Sequence, residues 1–280
     1  MGADPVQSGG GQQAPTRPQG ALPLRQALSR FALEVLIVAL LFGLLSLLAA
    51  LAWGAWRGVQ LAQHGMPNAD AAAFTHALGK PGAIATVIMS LIGVGGTALV
   101  ATLWRARPGP GACRHAQQAL RSPTTWWLAL FTSVAVICSS MIVSQIAAAL
   151  QQSLDPTNMP LVRGTLARHP ALLLLFAVVL APIYEEMLFR RVLFGRLWRD
   201  GWPLLGAVCS AVLFAFMHEP PLVGDKALAA QLPLWLVYTC MGLAFAWVYR
   251  RTGSLVAPII AHGLNNAFAI GIMLAAGPVH

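Results

Sequence analysis

The sequence predicts an all-α, polytopic transmembrane helix bundle of about seven spans, and three observations carry that reading. Hydrophobic residues fill 57% of the 280 positions and charged residues only 10%, a balance that one water-soluble core of this length could not hide. The apolar residues gather into runs near or above about 18 residues, the length a helix needs to cross the hydrocarbon layer. The cationic residues cluster toward alternate ends of those runs.

The candidate spans are roughly 30–55, 82–104, 125–151, 170–193, 203–217, 232–249 and 255–276. The fifth is short and the fourth contains Pro182, so the pattern allows six to eight crossings if either segment is re-entrant or split. Pro182 lacks a backbone donor and disfavours helix at Ala181, which predicts that the helix beyond it begins afresh within the membrane. The net charge of +9 does not mark a nucleic-acid binder, because its placement follows the positive-inside rule. With the N-terminus cytoplasmic, 13 of the 18 lysines and arginines fall on the inner side, leaving Arg57, Lys80, Arg163, Arg168 and Lys226 outside. This predicts a multi-pass protein of the cytoplasmic membrane if the source is bacterial, with the lipid bilayer as its first partner.

Residues 1–28, rich in Gly, Gln and Pro, are expected to be a disordered cytoplasmic tail and show no apolar stretch of a secretory leader. Residues 29–165 read as a transmembrane scaffold and 166–280 as the functional core, because the polar groups that look chemical all follow residue 180. Gly93, Gly95 and Gly96 suit close helix packing. Cys113, Cys138, Cys209 and Cys240 lack the paired spacing of a zinc or redox site and read as small core residues. Glu34, near the start of the first span, is expected to pair with Arg30 one turn earlier.

Glu185 and Glu186 lie inside the run LLLLFAVVLAPIYEEMLFRRVLF, where an ionisable side chain is expensive unless paired or facing water. Consecutive helical positions diverge by about 100°, so the two are expected to meet different partners. Glu186 precedes Arg190 by four, the favoured order for an intrahelical ion pair, which leaves Glu185 free as general base or ligand. His218 follows Phe214 by four, placing an aromatic ring one turn below the imidazole. His262 and Asn266 also share a face, and could either donate to a developing oxyanion or cross-link two helices. Asn265 points elsewhere and is the weaker candidate.

Taken in order, Glu185-Glu186-Met-Leu-Phe-Arg190, Phe214-Ala-Phe-Met-His218 and His262-Gly-Leu-Asn-Asn266 resemble the CAAX prenyl protease and bacteriocin-processing family of intramembrane proteases. The family's motifs read EExxxR, FxxxH and HxxxN. The resemblance covers roughly residues 170–275. It implies a glutamate-dependent endopeptidase acting on membrane-associated or lipidated proteins, in which Glu185 and His218 activate a water while His262 and Asn266 steady the oxyanion. Glu186, Arg190 and Phe214 would support the site. The family's metalloprotease label raises a second possibility, with Glu185, His218 and His262 as the ligands of a divalent metal such as zinc; no HExxH is present. Rival readings are a non-catalytic scaffold or immunity-type protein and a proton-coupled transporter, the latter disfavoured because the first half holds no repeat of the motifs. Counting residues at about 1.5 Å each puts Glu185 near the inner end of its span and His218 near the outer end of the next, so the two must be brought together for the enzymatic reading to hold.

Overall fold

The structure, a computed structural model, describes residues 20–64, 71–152, 154–221 and 228–275. Ten helices occur among them: α1 Leu24–Gln63, α2 Ala71–Leu78, α3 Ala83–Arg105, α4 Ala112–Arg121, α5 Pro123–Ala149, α6 Met159–Arg168, α7 Pro170–Arg199, α8 Pro203–His218, α9 Leu228–Thr252 and α10 Val256–Ala275. Six of these (α1, α3, α5, α7, α9 and α10) are long and apolar enough to cross a membrane, and α8 is apolar but has only 16 residues. The chain is thus a multi-pass, all-helical membrane protein, with the fifth expected segment, 203–217, present as the short helix α8. Prolines stand in the first turn of α5, α7 and α8, where the missing N–H would have no helical acceptor.

Contrary to the break expected at Pro182, α7 runs unbroken for 30 residues. It does so by widening into π-helical turns over Leu175–Leu180 and Met187–Phe194, and Ala181 keeps right-handed helical angles (φ −59°, ψ −51°). A π turn absorbs the proline by shifting the hydrogen-bond register. Past Arg199 the chain reverses through Asp200 and Gly201, whose positive φ of 88° suits glycine, and enters α8. A side chain at Gly201 would also strike Ala21, since an added Cβ would lie 2.8 Å from the Ala21 Cα.

This reversal resolves the depth problem raised by counting. Helix α7 extends beyond the expected residue 193, so Glu185 lies mid-helix rather than at its end. Glu185 and His218 then stand at similar distances, about 20–25 Å at 1.5 Å per residue, on either side of the same turn. The antiparallel pair brings them level.

Close packing holds the remaining helices around this hairpin. An added Cβ on Gly242 of α9 would lie 2.7 Å from the Ala211 Cα of α8, so the two backbones meet without an intervening side chain. Helix α5 packs on α9 and α10, which makes part of the expected scaffold a wall of the core. The α3 glycines behave as expected: a Cβ on Gly93 would meet Ser46 Oγ at 2.6 Å, and one on Gly96 would meet Leu45 at 3.1 Å.

Three expectations are corrected. Glu34 does not pair with Arg30; it is buried and takes both Arg105 Nε and Nη2 at 3.2 Å, with Arg196 at 3.9 Å, while Arg30 reaches Asp200 at 3.7 Å. Bidentate guanidinium geometry across helices outweighs a one-turn pairing within a helix. The cysteines are free, but Cys113 and Cys138 are exposed and Cys240 half-buried, so only Cys209, half-buried against the main core, comes near the expected role. Helix begins at Leu24, inside the expected disordered tail; Leu22 N–H bonds the Asp200 carbonyl and Trp202 Nε1 bonds the Leu22 carbonyl, docking this entry strand on the α7–α8 turn. Residues 1–19 of that tail lie outside the described residues.

Candidate active site

Three elements converge mid-bundle: the centre of α7, the end of α8 and the first half of α10. Glu186 and Arg190 are both 0% exposed, with Arg190 Nε 2.9 Å from Glu186 Oε2, the pairing expected from their spacing. Three phenyl rings surround the guanidinium, its carbon lying 5.1 Å from the Phe214 centroid, 5.6 Å from Phe245 and 5.9 Å from Phe189. Ring faces and a counter-ion together offset the loss of water around a buried cation. Arg190 Nη1 also donates to Ser210 Oγ at 3.5 Å, and Ser210 donates to the Phe189 carbonyl at 2.8 Å.

Glu185 points the other way, as helical geometry requires. Its Oε2 lies 3.6 Å from His218 Nε2 and 3.8 Å from His262 Nε2. The two glutamates nevertheless share one partner, because the His262 ring spans the gap between them: its Nδ1 is 3.0 Å from Glu186 Oε1. The imidazole contacts each carboxylate through a different ring nitrogen. The ring is held flat against Phe245, centroids 4.9 Å apart and planes 25° apart.

His218 is fixed from both sides. Its Nδ1 lies 2.9 Å from the Phe214 carbonyl, an atom that only accepts, so Nδ1 carries the hydrogen and Nε2 faces Glu185. Tyr238 stacks on the ring at 4.6 Å and Phe214 lies against it at 4.3 Å.

Asn266 takes a position that its sequence did not disclose. Its side-chain amide donates to the Ala177 carbonyl at 2.8 Å. In an α-helix that carbonyl would accept from Ala181, but the Ala181 N–H goes instead to Phe176, five residues back. The next possible donor is residue 182, a proline. The π turn and Pro182 together leave Ala177 without a backbone partner, and Asn266 supplies one from α10. Asn265 does not point elsewhere as expected: it lines the same cavity and its amide lies 3.4 Å from Asn266 Oδ1. Between these residues Gly263 presses on α7, where an added Cβ would come within 2.6 Å of the Val178 carbonyl.

Glu185, His218, His262, Asn265 and Asn266 form the polar wall of a cavity of about 520 Å³ whose other walls, from α5, α6, α7, α9 and α10, are mostly apolar. The structure also shows support that the motifs did not single out. Glu219, beside His218 and fully buried, accepts from the Thr157 backbone N–H and hydroxyl, and its carbonyl accepts from Trp235. Tyr238, Met241 and Phe245 were legible as one face of α9 by their spacing of three and four; Glu219 and Thr157 are joined across 62 residues, with no local signal.

Of the possible metal ligands, Glu185 Oε2 lies 3.6 Å from His218 Nε2 and 3.8 Å from His262 Nε2, near the separation of donors on one zinc, and each imidazole is held through Nδ1 as metal-bound histidines usually are. As the side chains stand, no group of three His, Cys, Asp or Glu among the described residues is drawn together to hold a metal ion. Were a divalent metal bound, Glu185, His218 and His262 would hold it, and it would supply a Lewis acid for the water.

Residues 167–268 match the family described as Type II CAAX prenyl endopeptidase Rce1-like. The Bacillus subtilis protein YdiL, named provisionally as a membrane peptidase, is 32% identical over 103 residues, 37% of this chain and 38% of YdiL. The membrane-embedded CAAX protease MroQ of Staphylococcus aureus is 27% identical over 150 residues, 51% of this chain and 56% of MroQ. The matched stretches thus span about two-fifths and just over half of these relatives' lengths. No solved structure gives a significant match. Glu185, His218, His262, Asn265 and Asn266 of the cavity wall all fall within residues 167–268, the segment by which this chain matches the Rce1-like type II CAAX prenyl endopeptidases.

Proposed function

We propose that the chain is an intramembrane endopeptidase that hydrolyses a peptide bond of a membrane-associated or lipidated protein by a water activated at Glu185. The observation that carries this reading is the convergence of Glu185 Oε2, buried and without a hydrogen-bond donor, with His218 and His262 Nε2 on the wall of an apolar cavity. A buried carboxylate left unsatisfied is costly, and gaps of 3.6 and 3.8 Å are spacings that a shared water bridges.

In this reading Glu185 and the Nε2 lone pair of His218 accept the two hydrogens of one water. Glu185 takes a proton as the water oxygen bonds to the substrate carbonyl carbon, and the carbonyl electrons move onto oxygen. The proton then passes to the amide nitrogen as the C–N bond breaks and the oxyanion re-forms the carbonyl, releasing an amine and a carboxylic acid that gives up the water's second proton to the amine in solution. His262 stabilises the oxyanion through Nε2, a role that requires both ring nitrogens to carry hydrogen while Nδ1 remains on Glu186. Asn266 has two amide hydrogens; one serves Ala177 and the other is available to the oxyanion. Arg190 neutralises Glu186, and the charge that His262 carries with both nitrogens protonated is offset by Glu185, 3.8 Å from its Nε2. The apolar cavity suits a hydrophobic substrate segment.

The test is peptide-termini mass spectrometry of host membranes holding the wild-type protein or Glu185→Gln at matched abundance. New termini that depend on Glu185 are expected and would name the substrate. Coincident profiles would instead favour the non-catalytic scaffold.

A further inference from the structure

A second cavity, of about 980 Å³, lies between α1, the start of α3 and α6, apart from every residue of the proposed active site. Its lining is graded from one end to the other. Ala49 and Ala52 on α1 and Ile88 and Ile92 on α3 form the apolar end; Arg57, Lys80, Arg168 and His169 form the opposite rim. The order is the same on both spans, because α1 reaches the rim as residue numbers rise and α3 reaches it as they fall. Among the described residues no acidic side chain lines the groove, and none of Arg57, Lys80 and Arg168 joins an ion pair with another of them.

Depth supports the same occupant. Helix α1 has 40 residues and spans about 60 Å, against about 30 Å of hydrocarbon and 40–45 Å with headgroups. Its last third therefore reaches headgroup level, where Trp53 and Trp56 flank the groove as interfacial aromatics do. Arg57, Lys80 and Arg168 are also three of the five cations that the positive-inside bias leaves unexplained.

We propose that this groove binds one anionic phospholipid, its phosphate on Arg57, Lys80 and Arg168 and an acyl chain along Ala52, Ile88 and Ile92. Leu161 and Thr165 of α6 line both this groove and the active-site cavity, so a single helix separates the two.

The test uses the full chain in nanodiscs of phosphatidylcholine with or without phosphatidylglycerol, followed by detergent extraction and native mass spectrometry. Wild type is expected to retain one phosphatidylglycerol in preference to phosphatidylcholine by about fivefold or more. Arg57→Gln/Arg168→Gln is expected to lose that preference, whereas Arg163→Gln, on the same helix but outside the groove, keeps it. Gly164 lines the groove and has nothing within 4 Å of an added Cβ; Gly164→Phe is expected to exclude the lipid with all charges intact, which keeps the test open should the double variant fail to fold. Equal retention of both lipids, undiminished retention by Gly164→Phe, displacement of phosphatidylglycerol by millimolar inorganic phosphate, or a retained mass equal to a peptide or a second chain would each overturn the proposal.

Discussion

Asn266 donates a hydrogen bond to the Ala177 carbonyl at 2.8 Å, repairing a helix that Pro182 would otherwise leave with an orphaned acceptor. The third motif is therefore tied mechanically to the first. Its asparagine fixes the height of α10 on α7, and with it the position of His262 one turn before.

This relationship predicts energetic coupling between two residues that do not react with substrate in the same way. Asn266→Ala leaves a half-buried carbonyl unsatisfied and is expected to destabilise the protein by about 1 kcal/mol. Pro182→Ala restores an N–H at the position from which a π turn can reach Ala177, so the double variant should recover part of that loss. A double-mutant cycle of unfolding in detergent should give a coupling above about 0.5 kcal/mol; strictly additive losses would show that Asn266 does not serve the Ala177 carbonyl.

Glu185 and Arg190 should separate function from folding. Glu185→Gln keeps size and polarity in a partly open position and is expected to abolish cleavage with little change in thermal unfolding. Arg190→Ala strands Glu186 at 0% exposure and is expected to destabilise by about 3–5 kcal/mol. Comparable unfolding temperatures for the two variants would contradict the division of roles between the adjacent glutamates.

How much of this was legible in the sequence depended on the range of the interaction. Six of the seven expected spans, the Glu186–Arg190 pair and the ring beneath His218 are local, set by spacings of three to four residues, and the structure shows them. The depth of Glu185 was misplaced because composition does not mark the end of α7: Leu193 to Leu197 carry arginine into a stretch that still folds as helix. Pro182 was read as a break because single-residue rules assume an α-helix, whereas the π turn and a side chain 84 positions away, Asn266, together absorb the defect. Glu34 went to Arg105 and Glu219 to Thr157, partners fixed only by tertiary packing.

Glu34 offers a direct check on that correction. Arg105→Ala removes the bidentate partner of a buried carboxylate and is expected to destabilise by about 2–4 kcal/mol. Arg30 is 45% exposed and contacts Asp200 at 3.7 Å, so Arg30→Ala should change stability by less than about 1 kcal/mol. The opposite ranking in chemical denaturation would restore the local pairing.

Gly263 tests whether the approach of α10 to α7 is as close as its backbone implies. Gly263→Ala places a methyl 2.6 Å from the Val178 carbonyl, and the rigid backbone of α7 gives it no room. A loss of about 1–3 kcal/mol is expected, with cleavage falling further than stability because His262 shifts away from Glu185. Gly271→Ala on the same helix meets nothing within 4 Å and should be neutral or slightly stabilising through helix propensity.

Zinc content separates the two roles open to Glu185, base and ligand. Donors at about 2.0–2.2 Å from one zinc lie roughly 3.3–3.6 Å from each other, close to the 3.6 and 3.8 Å between Glu185 Oε2 and the Nε2 atoms of His218 and His262. Each imidazole is held through Nδ1, one on the Phe214 carbonyl and one on Glu186, as metal-bound histidines usually are, so zinc content rather than donor spacing decides between the roles. With Glu185 as base, cleavage by protein purified through a chelator is expected to match that of untreated protein, with bound zinc well below one equivalent by elemental analysis. Stoichiometric zinc, together with activity lost on chelation and restored by zinc alone, would replace the glutamate-activated water with a metal-bound one and move Glu185 from base to ligand.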